Sequence, residues 1–173
     1  MLGMPHFREL VFEGKYPMAE LSFLDERFPG RVTVRYYNPF IPLNDRDSSI
    51  PALFADILVE NTTDRPITYT TAGIITNPCQ SSFTRNRFRE GNGIRGIHFT
   101  TEEIDKGDVS YSDFTLATDS EAVCQEYWFR GNWRDHVETY WREFASAKPL
   151  ENRRYESGKK DYKDTGMLCI SKE

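Results

Sequence analysis

Long apolar runs are missing from this 173-residue sequence. No stretch approaches the roughly 18–20 residues that a membrane-spanning helix needs, and Met1 to Leu10 has neither a basic leader segment nor an apolar one. A soluble chain is expected, with the cytoplasm slightly favoured. An excess of basic residues is missing too. With 22 Lys and Arg against 27 Asp and Glu the formal charge is −5, the wrong sign for a surface that holds nucleic acid or an acidic membrane. The densest basic stretch, with Arg85, Arg87, Arg89 and Arg95, reads instead as the solvated flank of a hairpin. Cysteine is sparse. Cys79, Cys124 and Cys169 lie far apart with no C-x-x-C pair, and His6, His98 and His136 show no ligand spacing. Neither a metal nor a cofactor is expected; the thiols read as reduced, although an odd count leaves room for one disulfide.

Aromatic residues are abundant: three Trp, nine Tyr and twelve Phe, enough to build a core from few, large side chains. The first half alternates with the period of half-buried strands. Val32, Val34 and Tyr36 fall on one face and Arg31, Thr33 and Arg35 on the other; Ala19, Leu21 and Phe23 repeat the pattern ahead of the Pro29-Gly30 turn, which predicts a hairpin. Leu53 to Val59 is nearly all apolar and reads as a central strand covered on both sides. A polar turn and a further strand from Ile67 to Ile75 follow it. Ile94 to Thr100 and Val109 to Thr118 complete the strand pattern, and Met167 to Ile170 begins like another.

One segment has a helical period. Val137, Tyr140, Trp141 and Phe144 sit at i, i+3, i+4 and i+7, with Asp135 as N-cap and Glu138 three residues on, predicting a short amphipathic helix near 135–146. The polar stretch 151–165 reads as a mobile loop. The fold class expected is mainly β, a two-sheet antiparallel β-sandwich in one domain over 1–173.

No local signature of catalysis emerges. Gly91-Asn92-Gly93-Ile94-Arg95-Gly96 spells G-x-G-x-x-G, but a nucleotide fingerprint needs a helix opening on it, and here strand-like Ile97 to Thr100 follows. It is a hairpin turn. Asp45 and Asp47 suit a turn that orders its own backbone. No G-x-S-x-G elbow occurs. Trp141 reads as core. Trp128 and Trp133, beside Gly131-Asn132, are open between core packing and an exposed platform for sugar rings or another domain.

Several segments, in order, resemble the N-terminal domain of glycoside hydrolase family 116, which holds non-lysosomal glucosylceramidases and related β-glucosidases. These are Glu13-Gly14-Lys15-Tyr16-Pro17; Asn38-Pro39-Phe40-Ile41-Pro42-Leu43-Asn44 with Asp47-Ser48-Ser49-Ile50-Pro51; Val59-Glu60-Asn61-Thr62; Asn86 to Gly96; and Trp128-Phe129-Arg130-Gly131 through Tyr140-Trp141-Arg142-Glu143-Phe144. The resemblance implies a non-catalytic β-sandwich that packs on a C-terminal (α/α)6 barrel of the same polypeptide. The retaining carboxylates would lie in that barrel, so no catalytic residue is assigned and this chain alone is expected to be inactive. Phe40, Asp47, Trp128, Arg130 and Trp133 are the expected interdomain or sugar contacts, with a glucoside touched at the cleft rim. The family's glycine-rich opening and the segment after Gly166-Met167-Leu168 are missing, so terminal strands of the sandwich are expected to be absent. The other reading is a stand-alone carbohydrate-binding module that uses exposed tryptophans.

Overall fold

The computed structural model describes residues 5–128, 136–146, 148–156 and 161–173. The fold is mainly β, with three antiparallel sheets and two short helices among the described residues. It divides into two compact units, Met1–Ile67 and Thr68–Lys172.

The first unit is a meander of β1 (Glu9–Lys15), β2 (Met18–Leu24), β3 (Arg31–Tyr37) and β4 (Phe54–Glu60), in that order across the sheet. The registers align one apolar residue per strand, as in the row Phe12, Leu21, Val34 and Ile57. The opposite face carries Glu20, Arg35 and Asp56 in a row, with Arg35 bonded to Glu20 at 2.6 Å. The predicted β2–β3 hairpin is present. In its turn the Asp25 carboxylate accepts from the Arg27 backbone and guanidinium, which holds it well below the usual carboxylate range.

β4 corrects the expectation of a central strand covered on both sides. It closes one edge of the sheet, and Phe54, Ile57 and Leu58 are exposed. Among the described residues of the first unit no further layer covers its second apolar face, and Phe54 stacks on Tyr37, centroids 5.4 Å apart. Nor does β4 form a hairpin with the strand that follows.

That strand, β5 (Tyr69–Thr76), pairs with β10 (Thr165–Lys172), which also pairs with β9 (Val123–Gln125). Opposite lies the sheet of β6 (Thr84–Gly91), β7 (Ile94–Thr101) and β8 (Phe114–Thr118). The strand expected from Val109 begins only at Phe114, because Asp108 closes a turn on Ser110 and Tyr111. Gly91 to Gly96 makes the β6–β7 hairpin, with Asn92 and Gly93 at φ of 52° and 76°, the left-handed pair that a two-residue turn requires.

The two sheets of this unit form a sandwich around Ile97, Phe99, Cys124 and Leu168, and Ile75, Phe88 and Leu116 close its margin. β10 is buried on both faces. Its other side chains, Met167 and Cys169, pack with Trp128 against Tyr140 and Phe144 of the helix α2 (His136–Phe144). The helix therefore lies where its period placed it; Asp135, the expected N-cap, is outside the described residues. Trp141, expected in the core, is 38% exposed. Within the stretch 151–165, expected to be a mobile loop, the described parts form isolated bridges of Arg153 to Gln125 and Tyr162 to Phe83.

Candidate functional site

The loop from Asn38 to Leu53 in the first unit carries Phe40 and Asp47, and its own polar side chains fix its shape. Asn44 caps the four-residue helix α1 (Asp45–Ser48): its Oδ1 accepts from Asp47 N at 3.1 Å, and its Nδ2 donates to the Asp47 carboxylate at 2.7 Å. Ser48 Oγ donates to Ile41 O and accepts from Ile41 N, both at 3.0 Å. Asn38 Nδ2 donates to Ile50 O and Ala52 O. These short polar residues give the backbone local partners in place of a sheet ladder.

Held this way, the loop turns its apolar residues outward. Phe40 is half exposed and meets the more exposed Tyr16 edge-on, centroids 5.4 Å apart. Ile41, Ile50 and Leu53 are also exposed, and Leu43 is fully so at a φ of 64°. A bulky residue in the left-handed region costs on the order of 1 kcal/mol or more. Nothing inside the first unit recovers that cost through burial of the Leu43 side chain.

Trp128 lies in the second unit, and the structure places it inside. Its ring is 9% exposed and stacks on Tyr140 with centroids 4.0 Å apart and planes 5° apart. Arg153 fixes the backbone here: Nη1 donates to Trp128 O at 2.8 Å, and Nη2 donates to both Glu143 oxygens at 3.0 Å. Gln125 Nε2 donates to the same carboxylate. Burial, with the nearby Cys169 thiol, pushes the Tyr140 hydroxyl up to about 12. A pocket of about 220 Å³ lies beside this cluster, lined by Glu143, Lys148, Leu150 and Arg153 among others. It falls below the roughly 300–1,000 Å³ of small-molecule sites. Arg130 and Trp133 lie outside the described residues.

Sequence reasoning missed a buried polar seam between the two sheets of the sandwich. Asn77 Nδ2 donates to Asn86 Oδ1 at 2.9 Å, and Asn86 Nδ2 donates to Glu126 O and Asp164 O. The Glu126 carboxylate accepts from Phe88 N and Tyr155 N, and the Tyr155 hydroxyl accepts from Asn86 N. Side chains thus take up the backbone donors at the edge of β6 that a further strand would otherwise take. The signal available was Asn86 and Phe88 alternating with Arg85, Arg87 and Arg89, which is a strand period with a polar residue on its inner face. Among the described residues no group of three His, Cys, Asp or Glu could hold a metal ion, and no helix is long and apolar enough to cross a membrane.

Fold and site together define a mainly β domain that presents a rigid apolar loop. The model of one family, described as beta-glucosidase 2, glycosyl-hydrolase family 116 N-term, matches residues 4–172, nearly the whole chain. The chain belongs to that family, as the Pro39-Phe40-Ile41-Pro42-Leu43 block and its companions led one to expect. No curated protein matches the sequence.

Proposed function

We propose that this chain is the non-catalytic N-terminal domain of a retaining β-glycosidase of glucosylceramidase or β-glucosidase type. It supports a C-terminal (α/α)6 catalytic barrel of the same polypeptide, and loop 38–53 is its contact surface and shapes the rim of the substrate cleft. One observation carries the reading: an apolar loop, preorganised by its own hydrogen bonds and exposed at Tyr16, Phe40 and Leu43, in a chain matched by an N-terminal-domain family. A rigid surface loop with aromatic and aliphatic tips binds at a low cost in ordering.

The carboxylates favour the same division of labour. A glycosidase needs an acid and a nucleophile or base facing an open site. Here Asp47 is engaged by Asn44, Glu126 by two backbone N–H groups, and Glu143 by Arg153 and Gln125. The binding-module reading rested on tryptophan faces, and the Trp128 ring is occupied by Tyr140.

The test is titration calorimetry of the chain against a separately produced catalytic barrel of the family. Saturable binding that weakens at least tenfold in Phe40→Ser is expected. No binding, or binding that Phe40→Ser leaves unchanged, would rule out this contact surface.

A further inference from the structure

One edge of the four-stranded sheet is a regular strand, β1, that no described residue covers. All seven residues of β1 pair with β2 in an unbroken ladder from Glu9↔Leu24 to Lys15↔Met18, and every one is exposed, Phe12 by 64%. Among the described residues nothing pairs with its far side. The strand has neither a proline nor a bulge, two devices that blunt a free edge. Its charges are unspent as well: Glu9, Glu13 and Lys15 form no ion pair among the described residues. The opposite edge differs. β4 carries only acidic charge, Asp56 and Glu60, and Glu60 lies 3.7 Å from Arg31.

We propose that β1 is a self-complementary docking edge at which a second copy of this chain pairs antiparallel across a two-fold axis, Phe12 opposite Phe12. The register follows from the charges. Around Phe12 the sequence Glu9-Leu10-Val11-Phe12-Glu13-Gly14-Lys15 sets Glu9 against Lys15 at both ends, Leu10 against side-chain-free Gly14, and Val11 against Glu13. A two-fold axis perpendicular to the sheet keeps each face on its own side, so the axis passes through a residue position. Moved to Val11, it sets Glu9 against Glu13; moved to Glu13, it sets that carboxylate against itself. Like charges directly opposite are destabilising and opposite charges stabilising. A centre at Gly14 would also set Glu13 against Lys15 but pairs only residues 13–15 of the strand, so Phe12 is the centre that joins charge complementarity with the full seven-residue ladder. The pairing satisfies the free backbone groups of both edges, joins the sheets into one of eight strands, and brings the exposed Leu10 and Phe12 of each copy beside those of the other. It is an isologous contact of the kind that closes a dimer, and it does not depend on the function proposed above.

Sedimentation equilibrium over a wide concentration range tests it. A monomer–dimer equilibrium is expected. Glu9→Lys and Lys15→Glu should each weaken the dimer about tenfold, since each replaces two attractive pairs by two repulsive ones, and the double swap should restore it. Phe12→Cys tests the register. Directly opposed residues have Cα atoms about 4.5–5.5 Å apart, within disulfide reach, so mild oxidation should yield a covalent dimer while the buried native thiols stay reduced. A monomer at every concentration, a double swap that fails to restore association, or a covalent yield no higher than from the exposed-site control Leu53→Cys would overturn the proposal.

Discussion

Gly166 on β10 and Phe99 on β7 touch across the sandwich so closely that a Cβ at position 166 would meet the Phe99 ring at 3.0 Å and Ile97 at 3.2 Å. The Phe99 ring and the Ile97 side chain it would meet are both fully buried, so they have no open space to move into. Gly166→Ala gains several tenths of a kcal/mol by restricting the unfolded chain and loses about 1–3 kcal/mol to overpacking. The loss wins. A lower urea midpoint with an unchanged m-value is the expected result; an equal or higher midpoint would show that the sheets are further apart.

Trp128 and Trp141 should separate sharply. Trp128→Ala removes a buried ring stacked on Tyr140 and costs about 3–5 kcal/mol, whereas Trp141→Ala, at a half-open surface position, costs under about 1 kcal/mol. Chemical denaturation of the two variants side by side decides it.

Asn86→Asp places a carboxylate against the carbonyl oxygens of Glu126 and Asp164, which now accept from the amide. The expected penalty at neutral pH is about 3 kcal/mol or more. It should shrink as pH falls, because a protonated carboxyl recovers one donor. Paired urea titrations near neutral and acid pH measure the difference; a pH-independent penalty would contradict the hydrogen-bond pattern.

β2, β3 and β5 were legible because their apolar residues alternate along the chain, and β7 because it is rich in β-branched and aromatic residues. So was α2, through Tyr140 and Phe144. What escaped was partnership. β5 follows β4 after a polar turn, yet it joins β10 almost a hundred residues away, where Leu168 on one face and Met167 and Cys169 on the other are buried against two layers. Trp141, read as core, is 38% exposed, and Trp128, open between core and platform, is buried: the period says which helix face is apolar, not how far the covering sheet extends. The shape of the candidate loop was readable from Asn44, Asp47 and Ser48, whose side chains favour local turns. The outward aim of Leu43 was not, because its positive φ depends on the closed loop.

Alkaline pH should weaken the fold before any thiol is exposed. Burial, assisted by the Glu126 carboxylate, raises the Cys124 thiol from 9.0 to about 12, and Tyr140 rises from 10.0 to about 12. The folded chain holds these protons more tightly than the unfolded chain, so the stability they contribute is complete below about pH 9 and is lost as pH climbs towards 12. Urea midpoints should therefore fall progressively above pH 9, with a shallower slope in Cys124→Ala. An identical slope in the variant would assign the loss to other groups.

The central claim, that this chain supports catalysis without performing it, is tested most directly by incubating the purified chain with an aryl β-glucoside and following aglycone release. The account predicts release indistinguishable from a protein-free blank at every substrate concentration. Saturable release that scales with the amount of chain would contradict it.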